Sequence, residues 1–316
     1  MPGIRLIMKL RVASVEMVTP EVAHLVLVHP TRPKLPSWTA GAHIDLQLPN
    51  GQSRQYSLCG DPANEREYHI AVKLEAEGRG GSQWVHSTLV AETLVPVAAP
   101  RNNFPIAENG ARHILIAGGI GVTPMLAMAR SLTADGADFA VHFCARSIER
   151  APLLAQLREV CGDRLRCWFS VDGDRFSMEA IGPPNEGEHI YVCGPNSLMD
   201  TVASGSPHLG WSPENIHCER FEPAHDPLIA AKPFKVKIAS SGEILEVPAE
   251  TTMLRVLHEA GFKLHSSCET GVCGSCECGY LGEGAIHRDV VIKGDQKHSR
   301  ITPCVSRAKD IITLLL

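Results

Sequence analysis

A chain of 316 residues, 44% of them hydrophobic, with a net charge of −5 is long enough for two or three domains with apolar cores of their own. The negative charge argues against general nucleic-acid binding, and no apolar run reaches membrane-spanning length. The opening Met1-Pro2-Gly3 lacks the charged-then-apolar pattern of an export signal, so eleven cysteines predict free thiols in a reducing cytoplasm and not a cystine framework.

From Lys9 to about Phe104 the sequence reads as short strands: Arg11 to Glu16, His24 to Val28, His43 to Leu48 and Tyr68 to Leu74. Several alternate apolar with polar residues, and turns such as Pro49-Asn50-Gly51 separate them, which favours a small barrel. Two features on it suit a planar, phosphorylated cofactor. Arg54-Gln55-Tyr56-Ser57-Leu58 offers a guanidinium fork for phosphate, a ring for stacking and a hydroxyl for a ring nitrogen. Gly78-Arg79-Gly80-Gly81-Ser82 offers a phosphate-sized loop. Singly, Gly80-Gly81 reads equally as a surface turn and Tyr56 as an ordinary half-buried strand residue. Together they point to flavin.

From His113 the pattern changes to strand–helix units. Ile114 to Ala117 is a short apolar run that opens into Gly118-Gly119-Ile120-Gly121. A helix follows over Pro124 to Arg130, with Thr123 expected as its N-cap and Pro124 at its first position. Phe139 to Phe143 and Ile190 to Cys193 read as further strands, the latter ending in Gly194-Pro195 before a helix from Ser197 to Val202. This is a parallel-sheet, nucleotide-binding pattern. The glycine loop could receive a pyrophosphate at the helix N-terminus, or be only a tight turn, since it departs from Gly-x-Gly-x-x-Gly. Where an acidic ribose clamp is expected, Arg146-Ser147 stands instead, a hint of NADPH.

Glu222 to Pro233 reads as a Pro-rich linker. Beyond it come a hairpin from Phe234 to Val247 turning at Ser240-Ser241-Gly242, a helix from Met253 to Ala260 ended by Gly261, and a terminal strand from Ile311. Between helix and strand lie Cys268, Cys273 and Cys276, with Cys304 far downstream. Four residues separate the first pair and two the second, the plant-type spacing for a 2Fe–2S cluster. Gly271, Gly274 and Ser275 let the loop turn its N–H groups towards an anionic core. Structural zinc is the alternative, though it favours two short knuckles and here the fourth ligand arrives alone. Cys278 falls in the next strand and reads as a small buried residue, outside the ligand set.

The chain resembles the phthalate dioxygenase reductase family, the reductases of aromatic-ring oxygenases and O-demethylases. The resemblance rests on Arg54 to Leu58, Ala71-Val72-Lys73, Gly78 to Ser82, Pro100-Arg101-Asn102-Asn103-Phe104-Pro105, Ala117 to Met125, Cys193-Gly194-Pro195, Ser266 to Cys276, His287-Arg288-Asp289 and Cys304 to Lys309. It covers essentially the whole chain, in order. It implies a multidomain fold: an FMN-binding β-barrel over 1–105, an α/β NAD(P)-binding domain over 106–225 and a β-grasp plant-type ferredoxin domain over 226–316. By motif, Arg54, Tyr56, Ser57, Val72, Lys73, Gly80, Gly81, Ser82, Thr123 and Phe221 would hold FMN. Gly118, Gly119, Gly121, Arg146, Cys193, Gly194 and Pro195 would position the dinucleotide, with NADH preferred over NADPH. Cys193 would lie near the nicotinamide, or else is a buried strand-end residue. The implied activity is an oxidoreductase, cytoplasmic and monomeric, passing electrons from NADH through FMN and the 2Fe–2S cluster to a partner terminal oxygenase. A reductase for a cytochrome P450, a flavin reductase with a structural metal, and an iron–sulfur redox sensor are the competing expectations. The sensor lacks any recognisable output element.

Overall fold

The computed structural model describes residues 6–78, 80–221 and 232–316. The opening tripeptide, Arg79 and residues 222–231 of the expected linker lie outside the described residues. The chain forms two compact units, Met1–Phe221 and Glu222–Leu316.

The first unit begins with β1 (Ile7–Thr19), β2 (Val22–Val28), β3 (Ala42–Gln47), β4 (Ser53–Ser57) and β5 (Glu67–Lys73). Helix α1 (Gly81–Thr88), β6 (Leu94–Ala98) and the short β7 (Arg101–Asn102) follow. The strands run antiparallel in the order β4-β3-β6-β1-β2-β5, with β7 on β3, and a bridge between Leu58 and Ile70 joins the two ends into a barrel. Alternation of apolar and polar residues puts Leu10, Val12, Leu25, Leu27, Val95 and Val97 fully inside. Register shifts in β1 at Val12/Ser14 and Met17/Thr19 supply the bends that closure requires.

The rest of this unit is a parallel sheet of β8 (Arg112–Gly118), β9 (Phe139–Ala145), β10 (Leu165–Phe169), β11 (Glu188–Cys193) and β12 (Ile216–Glu219), in the order β10-β9-β8-β11-β12. Helices α2 (Val122–Ala134), α3 (Leu154–Cys161) and α4 (Asn196–His208) accompany it. One face packs Leu115, Ala117, Val141 and Phe143 with α2 and α3. The other packs Ile114, Ile116, Ile190 and Val192 with Met199 and Val202 of α4. The order reverses between β8 and β11, which opens a crevice at their carboxyl ends. Two local expectations are revised. Helix α2 starts earlier than expected: Gly121 is its N-cap, while Thr123 is its second residue and donates its hydroxyl to the Ile120 carbonyl at 3.0 Å. A 3₁₀ turn over Gly119–Gly121 runs straight into the helix and leaves no extended residue for threonine to occupy. Gly81 and Ser82 are not in a plain loop either. They open α1, with Gly80 as N-cap at φ +79°.

The second unit contains β13 (Phe234–Ile238), β14 (Ile244–Val247), α5 (Met253–Glu259), β15 (Cys278–Leu281), β16 (Ala285–Ile286), β17 (Arg300–Ile301), β18 (Arg307–Ala308) and β19 (Ile311–Leu315). Its main sheet runs β14-β13-β19-β15-β17, with β13 and β19 parallel. Met253 and Leu257 of α5 share an apolar core with Val236, Ile238, Ile312 and Leu314, a helix gripped by a sheet. Thr252 caps α5 by accepting the Arg255 N–H at 3.2 Å. The buried Arg307 guanidinium donates to the carbonyls of Lys232, Pro248 and Thr251 at 2.7–2.9 Å and lies over the Phe234 ring.

Candidate cofactor-binding sites

In the second unit the loop before β15 carries Cys268, Cys273 and Cys276, and the segment between β17 and β18 carries Cys304, each of them buried. They meet as two pairs. Cys268 and Cys273 are within hydrogen-bonding distance of each other, as are Cys276 and Cys304. The hydrogen bond from Cys273 pulls Cys268 down to about 5 and leaves Cys273 raised. The one from Cys304 likewise lowers Cys276 and leaves Cys304 raised. Backbone amides reach the first pair: Thr270 and Ser275 donate to Cys268 and Cys273 at 3.4 Å. Among the described residues no three or more His, Cys, Asp or Glu side chains converge as a single metal ion would need. Two pairs of cysteine sulfurs fit a centre of two irons better than one zinc. Cys278 points into the domain core, and burial pushes its thiol to about 12.

On the barrel, Arg54 and α1 come together. A Cβ added to Gly81 would meet Arg54 Cγ at 2.7 Å and Nε at 2.9 Å, so the guanidinium stem lies against the first turn of the helix. Gly80 has open space where its Cβ would be. This is a small cradle of amides and a cation, suited to a phosphate. Tyr56 stands half-buried beside them, its phenol raised to about 12 by burial. The Ser82 hydroxyl accepts the Glu75 N–H at 3.0 Å, and Lys73 pairs with Glu75 at 2.7 Å. Val72 is buried, and its carbonyl faces His86 Nε2 at 2.8 Å.

At the crevice the four glycines differ. Gly118 lies against Pro195, Leu198 and Gly194, and an added Cβ at Gly121 would stand 2.1 Å from the Cys193 carbonyl oxygen. These two let the strand ends and the Gly194-Pro195 turn touch. Gly119 alone has open space, at φ +52°, and is the position where a dinucleotide could approach the backbone. Arg146 is exposed just past β9, and its carbonyl accepts the Val171 N–H at 3.0 Å. Thr123 is buried, its hydroxyl engaged as described, and Phe221 is 39% exposed at the end of the unit.

Glu219 is the functional candidate that sequence reasoning missed. It ends β12 beside Cys193 in the sheet register, and its Oε2 accepts the Ser57 hydroxyl from the barrel at 3.3 Å. Burial raises its carboxyl from the ordinary 4.5 to about 8, with the Ser57 bond opposing the rise. The fully buried Cys193 thiol is pushed well up, by burial first and then by the Glu219 and Cys218 charges. The crevice thus keeps a proton on Glu219 at neutral pH, next to the serine assigned to flavin. Above pH 4.5 the unfolded chain sheds that proton while the folded one keeps it up to about 8. The stabilisation is complete below 4.5, declines as pH climbs, and is gone beyond the folded value. Glu219→Gln is expected to flatten this part of the stability profile. Thermal midpoints of both proteins, followed across the window, check it; parallel curves would contradict it.

Residues 236–309 match the 2Fe-2S iron-sulfur cluster binding domain family. The chain is 39% identical over 297 residues to the phthalate 4,5-dioxygenase oxygenase reductase subunit of Pseudomonas putida, covering 92% of this chain and 90% of that protein. A solved phthalate dioxygenase reductase, described as a modular structure for electron transfer from pyridine nucleotides to [2Fe-2S], matches with a TM-score of 0.76 and 36% identity over 98% of both chains. An intact type IV self-sufficient cytochrome P450 monooxygenase matches with a TM-score of 0.85 and 32% identity over 98% of this chain and 41% of its own.

Proposed function

The chain belongs to the phthalate dioxygenase reductase family, and from that premise we propose that it is an NADH-dependent oxidoreductase that passes electrons through FMN and a 2Fe–2S cluster to a partner terminal oxygenase. The observation that carries this reading is the two-by-two arrangement of four buried cysteine sulfurs, the first pair met by backbone amides. Cys268 and Cys273 would hold one iron, Cys276 and Cys304 the other. Arg54, Gly80, Gly81 and Ser82 would hold the FMN phosphate. Tyr56, Ser57, Val72, Lys73, Thr123 and Phe221 would line the rest of the flavin. Gly119 would admit the dinucleotide, Gly118, Gly121, Gly194 and Pro195 would shape the turn beneath it, and Arg146 and Cys193 would flank its two ends. Bound flavin supplies the exchange between a two-electron hydride and the single electrons a cluster accepts. The chain's own task is to orient these groups and to keep a proton on Glu219.

The acceptor is best read as an oxygenase of the aromatic-ring dioxygenase or O-demethylase type. The likeness to part of a cytochrome P450 monooxygenase favours a second reading, a reductase for that class. We assign the protein to the cytoplasm as a monomer on the strength of its eleven cysteines, none in a disulfide, and its likeness to a reductase subunit. No helix among the described residues is long and apolar enough to cross a membrane. The domain limits 1–105, 106–225 and 226–316 belong to the same proposal. Adding NADH anaerobically is expected to bleach the flavin and cluster bands together and then to support cytochrome c reduction. A cluster that stays oxidised while flavin bleaches would refute the direction of flow.

A further inference from the structure

Asp289 sits in the His287-Arg288-Asp289 motif, for which the electron route has no use, yet no other carboxylate in the second unit is so deeply committed among the described residues. Its side chain is 0% exposed. Oδ1 accepts the backbone N–H groups of Val291 at 3.2 Å and Ile292 at 2.8 Å. Oδ2 accepts the hydroxyls of Thr302 at 3.1 Å and Ser306 at 3.4 Å, and faces His287 Nδ1 at 3.4 Å. The Thr302 and Ser306 hydroxyls lie 3.0 Å apart, so one of the two protons is shared between Asp289 and the neighbouring hydroxyl, and they stand two residues on either side of Cys304. From the other side, Val290 donates its N–H to the Gly271 carbonyl at 3.1 Å. A Cβ added to Gly271 would lie 3.2 Å from Asp289 Cα. The carboxylate therefore ties its own turn to the segment that bears Cys304, and the backbone of that turn meets the loop of the first three cysteines at Gly271.

Two backbone amides and the Thr302–Ser306 hydroxyl pair converge on this acceptor-only group. A fixed anion beside a centre that gains an electron makes the reduced form harder to reach. We propose that Asp289 is a positioning residue for the iron–sulfur centre that also lowers its reduction potential, so that a reduced cluster readily gives its electron away. This rests on the four-cysteine reading above.

The test is a potentiometric titration of the holoprotein, followed by the electron paramagnetic resonance of the reduced cluster, with the flavin midpoint as internal standard. Asp289→Asn keeps the shape and removes the charge. At a fixed ambient potential its ratio of reduced to oxidised cluster is expected to rise roughly tenfold, the scale of one charge acting through protein, while the flavin midpoint stays put. Thr302→Val and Ser306→Ala keep the charge and remove donors; their clusters are expected at or below the wild-type potential. An unmoved potential in iron-replete Asp289→Asn would overturn the proposal. So would a rise in Thr302→Val or Ser306→Ala, since the ties and not the charge would then set the potential. If Asp289→Asn sheds its iron, the two hydroxyl variants decide alone by the same criterion. Iron and sulfide analysis of the wild type comes first: their absence refutes the four-cysteine reading itself, a failure distinct from any shift of potential.

Discussion

Cys304→Ser is expected to strip the protein of its iron–sulfur absorbance and to end electron delivery to cytochrome c, while NADH still bleaches the flavin and ferricyanide is still reduced. Cys304 closes the second sulfur pair with Cys276 and stands between Thr302 and Ser306, so no neighbouring thiol can slide into its place. The one nearby candidate, Cys278, faces the domain core within β15, where Cys278 pairs with Ile301. Cys278→Ser should therefore leave the visible spectrum unchanged. Iron and acid-labile sulfide, measured per flavin, report both outcomes. A Cys304→Ser protein with its full complement of sulfide would remove Cys304 from the ligand set.

The second large effect is expected at Gly121. Its added methyl would stand 2.1 Å from a backbone oxygen, Cys193 O, and 2.8 Å from Gly194 N. Backbone atoms inside two packed strand ends cannot step aside as a side chain can. Gly121→Ala should cost roughly 3 kcal/mol and loosen the crevice in which Glu219 and Cys193 meet. Gly119→Ala meets no atom within 4 Å and suffers only from its φ of +52°, about 1 kcal/mol. Urea unfolding followed by Trp fluorescence separates them. Equal losses would mean that the close approach of the two turns carries no stability.

Much of this architecture was legible along the chain. Alternation located β1, β2, β3 and β5, the turn at Ser240-Ser241-Gly242 lies between β13 and β14, and the cysteine spacing marked the group that the second unit assembles. These signals are local, written in residues within one turn or one strand of each other. What escaped was whatever depends on distant segments meeting. Gly121 caps α2 because the 3₁₀ turn over Gly119–Gly121 runs straight into the helix, and threonine beside proline mimics the usual capping signal. Glu219 is unremarkable beside Arg220 and Phe221 until Ser57 arrives from the barrel. Asp289 shows its weight only when residues 271, 302 and 306 surround it. The helical form of Gly81 and Ser82 was hidden by the glycines themselves, which are poor helix formers.

The two sulfur pairs span unequal lengths of chain: Cys268 and Cys273 are five positions apart, Cys276 and Cys304 twenty-eight. Bridging the longer span takes more freedom from the disordered polymer than bridging the shorter, by about 1.5 kcal/mol in the simplest treatment of ring closure. An inorganic core joining all four is then a crosslink as well as a conductor, and most of its mechanical value lies in the long span. Oxidative loss of metal would cost this unit its fastening along with its conductivity, and damage to the redox centre would register as instability of the polypeptide around it.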